Sequence, residues 1–424
     1  MIDIDLVRRE PALIARVAKA KGIDVDIDAL LSFDTQLRSV ITEIDNLRHQ
    51  LKQASKAVQS AEDRDAAVAE ARAMGTRISA LEEEQRSLRA KFDGQMAIVP
   101  NVLAPEVPIG DSDEDDVEVR RWGSQPTFDF PAKDHIELMT DLGMVDFEAP
   151  RRFVGARSYA LTGWGALLEI AVMRYALDIV VARGFTPVVT PTAVRESAMF
   201  GTGFFPIGRE DAYHIGADDL FLTGTSEVSL VSLYGDSILD AGRLPIRIAG
   251  WSTCYRREAG AAGRDTRGLY RVHQFQKVEQ VVLCEADLQV SEREHYMLLE
   301  NAEHILHGLE LPYRVALACS GETGQGQYRK HEVETWMPSR DRYSETHSCS
   351  TLLDFQARRS RIRYRTDDGG KQFAHTLNNT AIASPRILIP LLENHQQPDG
   401  SIRVPEALRP YLFGTEVINK PFVA

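Results

Sequence analysis

Twenty-six residues, Cys254 to Glu279, read CYRREAGAAGRDTRGLYRVHQFQKVE and hold the densest chemistry of the chain. Arg256, Arg257, Arg264, Arg267 and Arg271 fall within sixteen positions of a protein whose net charge is -13. Guanidinium forks match phosphate oxygens bidentately, so an anion is the expected guest. If the return limb is a strand, the period of two puts Arg271, His273, Phe275, Lys277 and Glu279 on one face and Tyr270, Val272 and Val278 on the other. Arg256 and Glu258 would share a face of the outgoing limb, with the glycine-rich AGAAGRDTRG as the turn. An arginine-rich turn can be simply a solvated basic hairpin. Here Phe275 offers a flat surface for a base, and Glu258 and Glu279 among the arginines suggest something zwitterionic or metal-bridged beside a phosphate.

Composition narrows the classes. A length of 424 residues predicts about two or three domains. No apolar run approaches the roughly 20 residues needed to span a bilayer. The opening MIDIDLVRREP lacks the apolar core of a signal peptide, so a cytoplasmic location is expected. Cys254, Cys284, Cys319 and Cys349 lie at least 30 residues apart without a C-x-x-C pair, and no zinc site or disulfide framework is expected. The acidic balance argues against non-specific nucleic-acid binding by the whole body, while leaving room for a local basic surface.

The elements that must position this chemistry follow from periodicity. Met1 to about Gly22 predicts a helical cap, with Ile4, Val7, Leu13, Ile14 and Val17 on one stripe. Leu30, Phe33, Leu37, Val40, Ile44, Leu47, Leu51, Ala54 and Val58 then step by threes and fours, and so do Ala71, Met74, Ile78, Leu81, Gln85, Leu88 and Phe92. Two matched seams about the polar turn Glu62 to Asp65 predict an antiparallel helical hairpin with arms of about 45 Å. Ten Lys/Arg against nine Asp/Glu between Arg38 and Lys91 make the arm relatively basic. Such a seam serves an oligomerisation coiled coil equally well. Pro100, Pro105, Pro108 and the acidic run Asp111 to Asp116 predict a linker over 101–125 between domains at 1–100 and 126–424. Strands are predicted at Thr186 to Thr190, Leu220 to Thr223, Arg247 to Ala249, Val278 to Leu283 and Arg361 to Arg365. Helices are predicted at Leu167 to Val181, Val290 to Leu309 and Ile387 to Gln397. Without strict βαβ alternation or G-x-x-x-x-G-K-[ST], an α+β fold with a mainly antiparallel sheet flanked by helices is expected.

Together these pieces resemble a bacterial-type seryl-tRNA synthetase, a class II aminoacyl-tRNA synthetase, from the N-terminus through Val417. Motif 1 matches at Arg183-Gly184-Phe185 and Pro191, motif 2 at Arg256-x-Glu258 and Arg271 to Glu279, and motif 3 around Ala383 to Asn394, centred on Arg386. Thr225-Ser226-Glu227, Glu345 to Ser348, Phe355 to Arg359 and His375 to Asn378 are closer to family-specific.

The resemblance implies a serine–tRNA ligase that uses ATP and Mg2+, works as a homodimer through the motif 1 unit, and sends its N-terminal arm to tRNA-Ser. A role with tRNA-Sec stays open. It implies that Arg256, Arg257, Glu258, Arg271, Val272, Phe275, Glu345, Thr346, His347, Ser348 and Arg386 bind ATP. Arg256 would hold the α-phosphate and the amino-acid carboxylate, Phe275 would stack on adenine opposite Arg386, and Glu345 and Ser348 would carry Mg2+. For L-serine it implies Thr225, Ser226, Glu227, Arg256, Glu279, Asn378 and Thr380. Arg256 and Arg386 are the implied catalytic pair. Two other readings accompany it: a specialised or catalytically weakened tRNA-binding paralogue, and a ligase loading a carrier protein, although such relatives lack the long arm.

Motif 3 departs from the family pattern. Ala381 to Pro385 replaces the usual glycine-rich approach to Arg386, and Asn379 stands where TLNG has glycine. Pro385 suits a first helical turn, whereas Pro390 is expected to kink the helix.

Overall fold

The computed structural model describes residues 1–57, 63–260, 263 and 267–422. Val58, Glu62 and Arg264 of the sequence reading lie outside them. The chain divides into two compact units, Met1–Pro100 and Asn101–Ala424.

In the first unit Pro11 splits the expected cap into two helices, α1 (Ile4–Arg9) and α2 (Pro11–Ala20). Proline lacks the N–H that would continue α1 but fits the first position of α2. The long helices α3 (Ile27–Ala57) and α4 (Arg64–Ile98) form the predicted hairpin. Leu37, Val40 and Ile44 pack with Leu81 and Leu88, flanked by Phe33, Leu47 and Phe92. Asp63 caps α4 by accepting from the Ala66 N–H at 3.0 Å. Arg48–Glu82 and Arg77–Glu43 pairs, each 2.8 Å, cross between the helices on exposed ground and add little stability.

The second unit is built on a sheet that, among the described residues, has eight strands: β1 (Val117–Trp122), β2 (Thr186–Val188), β3 (Ile246–Tyr255), β4 (Gln274–Cys284), β5 (Tyr313–Leu317), β6 (Arg329–Met337), β7 (Arg342–Leu353) and β8 (His375–Ser384). Their order is β1-β5-β6-β7-β8-β4-β3-β2, antiparallel except for β2 against β3. Edge strand β1 occupies residues expected as linker: the acidic run precedes it, and Val117 to Trp122 pair with Leu317 to Tyr313.

Two long helices, α5 (Trp164–Ala182) and α7 (Leu288–Gly308), join one core with the back of the sheet, where Val278, Val282, Val333 and Leu377 are buried. At the end of α5, Gly184 takes φ 91°, a conformation that costs glycine little, and lets the Phe185 N–H return to the Val180 carbonyl at 3.1 Å. On the front of β4, alternation continues from Phe275, Lys277 and Glu279 into Val281 and Leu283. These last two are buried with Leu230 of α6 (Glu227–Ser232) and Ala357 of α8 (Phe355–Ser360). Two short helices thus cover half of the front and leave the other half as a cleft.

Two sequence expectations need correction. β4 starts only at Gln274 and β3 ends at Tyr255; past one further backbone bond, from the Arg256 N–H to the His273 carbonyl at 3.0 Å, Tyr270 to Val272 and Arg257 to Glu258 leave the ladder and obey no period of two. Glu258, at φ 55°, turns in the left-handed region and reaches Arg271 at 2.8 Å. Pro390 does not kink α9 (Leu388–His395): it is the third residue, inside the first turn, where the missing N–H would have no helical acceptor.

Candidate active site

Phe275 and Lys277 on β4, with the Arg256 segment just beyond β3, face a cleft of about 620 Å³ whose other walls are Glu345 to Ser348 on β7 and Ala383 to Arg386 at the end of β8 and just past it. The Arg256 guanidinium stands 5.2 Å over the Phe275 ring, and its Nη2 reaches the Gly224 carbonyl at only 3.5 Å, a contact easily given up. Arg386 is held more firmly. It lies 4.4 Å over Tyr270, donates from Nε to the Tyr270 carbonyl at 3.2 Å, and meets the Glu345 carbonyl and carboxylate at 3.0 and 3.2 Å. Arg340 lies over the same tyrosine ring at 4.1 Å. The two aromatic faces carry two different arginines, Arg256 on Phe275 and Arg386 on Tyr270.

A second hollow of about 870 Å³ adjoins the first and shares Arg256, Lys277, Glu345, Ser348 and Thr380 with it. A bulge after Val278 brings Thr380 opposite Glu279, and the Thr380 hydroxyl donates to Glu279 at 3.5 Å. Lys277 forms an ion pair with the same carboxylate, and both residues are buried. Glu227, at the start of α6, accepts from Gln356 at 2.6 Å and Asn378 at 2.8 Å. Gln356 is fixed in turn by the Thr376 hydroxyl at 2.7 Å. The Thr225 hydroxyl accepts from the Glu227 N–H at 3.2 Å.

The electrostatics separate the carboxylates. Burial pushes Glu227 up to about 7, helped by nearby Glu279 and opposed by Gln356, Lys277 and Asn378. Burial also raises Glu279, against the pull of Lys277. For Glu345 the upward push of burial is outweighed by Lys330, Arg386 and Arg256, which hold it below the ordinary carboxylate range. Glu345 and Ser348 line both hollows, and an ionised carboxylate with a hydroxyl is a hard oxygen pair that fits Mg2+. Among the described residues no cluster of three or more His, Cys, Asp or Glu is gathered to hold a metal, so phosphate oxygens and water would complete the shell.

Most residues implied for the site line one of these two hollows, but not all do so with their side chains. Arg257 donates to the Glu210 carbonyl at 2.8 Å and lines neither. Ser226 is buried and donates to the Gly250 carbonyl at 3.1 Å, fastening α6 to β3. Thr346 is spent on Thr335 at 2.6 Å, and His347, pushed down to about 4 by burial, is neutral and bonded to Thr346 at 2.9 Å. Sequence reading left Lys277, Lys330, Tyr270 and Gln356 without roles. Lys277 already stood on the polar face and Gln356 inside a family-specific block, whereas nothing local marks Lys330, which is paired with Glu332 at 2.5 Å.

Residues 213–395 match the family model of the tRNA synthetase class II core domain (G, H, P, S and T). The sheet and the site it carries are those of a class II aminoacyl-tRNA synthetase. Residues 1–103 match the seryl-tRNA synthetase N-terminal domain. The chain is 45% identical over 423 residues to a serine–tRNA ligase of Deinococcus radiodurans, covering 99% of this chain and 100% of that one. It is 41% identical to that of Symbiobacterium thermophilum, over 97% and 98% of the two chains. The chain belongs to the seryl-tRNA synthetase family and is an enzyme, a ligase of the aminoacyl-tRNA class. The crystal structure of seryl-tRNA synthetase from Pyrococcus horikoshii complexed with ATP superposes with a TM-score of 0.92 at 34% identity, covering 99% of this chain and 100% of that one.

Proposed function

We propose that the enzyme activates L-serine with ATP to seryl-adenylate and pyrophosphate, then transfers serine to the 3′ end of tRNA-Ser. The observation that carries this reading is the common wall of the two hollows, where Arg256 stands between the Phe275 surface and the buried carboxylates Glu227 and Glu279. The Pyrococcus relative, complexed with ATP, supports nucleotide binding in the same fold. No general base is required, because the serine carboxylate is already ionised. Its oxygen attacks the α-phosphorus in line, a new P–O bond forms, and the bond to the β-phosphate oxygen breaks with its electrons leaving on pyrophosphate. Arg256 neutralises charge on the α-phosphate while Arg386, anchored on Tyr270 and Glu345, meets the distal phosphates. Glu345 and Ser348 would hold Mg2+, which when bound would supply charge neutralisation for the phosphates. Thr225, Glu227, Glu279, Asn378 and Thr380 take the ammonium and hydroxyl of serine. Alanine would leave those polar groups unpaired.

In this reading residues 1–100 carry tRNA-Ser on the helical arm, residues 101–424, whose sheet includes β1, are catalytic, the motif 1 unit forms a homodimer, and the enzyme works in the cytoplasm. Among the described residues no helix is long and apolar enough to cross a membrane. Pyrophosphate exchange measured with each of the twenty amino acids should respond to serine alone, followed by charging of tRNA-Ser; charging of tRNA-Sec decides whether it is a second acceptor. Binding of tRNA without any exchange would show a regulator in place of an enzyme that activates serine.

A pH dependence follows from Glu227. An ammonium beside it favours the carboxylate, so serine binding releases a proton wherever Glu227 is protonated beforehand. Serine KM should therefore be level above about 7 and rise by up to about tenfold per pH unit below it. Exchange at saturating ATP between pH 6 and 8.5 measures this, and the Glu227→Gln variant should lose the slope.

A further inference from the structure

Lys277 has no part in the mechanism so far, yet it lies at the point where the two hollows meet. Strand β4 places Phe275, Lys277 and Glu279 on one face, each roughly 7 Å from the next. The lysine is thus midway between the surface offered to a base and the carboxylate offered to an ammonium. It lines both hollows, its side chain is buried, and its only ion-pair partner among the described residues is Glu279.

That pair mimics the charges of the guest. A free amino acid brings one ammonium and one carboxylate, and Glu279 with Lys277 presents one carboxylate and one ammonium. If serine's ammonium merely displaced Lys277, a buried lysine would lose its partner, which is costly for a charge held away from water. The cost disappears if the displaced ammonium finds the serine carboxylate, so that one internal ion pair becomes two with the ligand. A lysine can make this move because its charge sits on a flexible four-carbon stem, whereas the Arg256 fork is already stacked on Phe275.

We propose that Lys277 is a second binding group for the serine carboxylate, released from Glu279 by the incoming ammonium and turned toward the oxygen that attacks the α-phosphorus. The inference rests on the serine-activating reading above. It makes Lys277 a latch: paired internally before the amino acid enters, it adds its charge at the reacting centre only when a complete zwitterion is present.

Serinol keeps the amine and hydroxymethyl groups of serine but has no carboxylate, and so separates the two roles the lysine can have. Titration calorimetry of the full-length enzyme with serine and with serinol should show that Lys277→Met weakens serine at least about tenfold more than serinol, the loss expected for a buried charge-assisted contact. Lys277→Arg, which keeps the charge, should restore most of the difference. Lys277→Gln gives the same ratio if the methionine variant does not fold. Equal weakening of both ligands would mean that Lys277 only supports Glu279, and no weakening would remove it from the site; either result overturns the proposal. A wild-type enzyme that binds no serine would overturn the serine reading itself and this inference with it.

Discussion

Replacing Arg256 by methionine should lower serine-dependent pyrophosphate exchange by roughly 10²- to 10³-fold while leaving the fold intact. The side chain makes one long hydrogen bond, to the Gly224 carbonyl at 3.5 Å, and rests on Phe275 at 5.2 Å, so its removal breaks no buried network. It stands at the wall shared by the two hollows, where in the proposed reaction negative charge would build on the α-phosphate during the in-line attack. Loss of a single preorganised donor at such a point costs about 3–4 kcal/mol of barrier. Arg256→Lys should recover only a part, because a point ammonium cannot bridge two oxyanions as a planar fork does. Exchange assays together with thermal unfolding check both halves of the statement. A variant that keeps more than about a tenth of wild-type exchange would remove Arg256 from the centre of the reaction.

The second large effect is expected at Glu279. Its carboxylate is 2% exposed, paired with Lys277 and approached by the Thr380 hydroxyl at 3.5 Å. Glu279→Gln keeps the shape and deletes the charge, which leaves Lys277 buried without a counterion and, in the proposed serine site, the ammonium without its strongest partner. Truncating one member of a buried charge pair costs about 2–5 kcal/mol, so serine KM should rise by roughly 10²-fold. ATP KM should stay within about threefold, because the proposed place of the nucleotide is the Phe275 end of the cleft. Steady-state exchange with each substrate varied in turn separates the two constants. A larger change in ATP KM than in serine KM would place Glu279 on the wrong side of the site.

Much of the architecture is written locally. Seam residues such as Leu37, Val40, Ile44, Leu81 and Leu88 recur at helical spacing, and burial follows because that spacing puts them on one stripe. The alternation Phe275, Lys277, Glu279 is equally local and survives in β4. It fails over Tyr270 to Val272 because alternation is a property of strands and this segment is not one. The linker reading extended through Val117 to Trp122 because nothing within six residues reveals that β5, almost two hundred positions later, needs an edge partner. From the sequence Pro390 reads as a kink because its cost depends on where the helix begins, which the backbone turn through Pro385 to Ile387 decides.

By its own pattern the sequence determined the helical hairpin, the α+β character, the polar face of Phe275, Lys277 and Glu279 and the family. Each is carried by residues close together in the chain or by short blocks. Tertiary structure alone decided how the blocks combine: Thr380 meets Glu279 across 101 residues through one strand register and its bulge, Gln356 and Asn378 converge on Glu227, and Lys330 helps to keep Glu345 ionised. It also withdrew Ser226 and Arg257 from the cleft by giving their side chains backbone partners elsewhere. The reason is physical. Residue type and spacing set which face a group occupies, but burial, register and the sum of neighbouring charges set what it contacts and whether it is ionised.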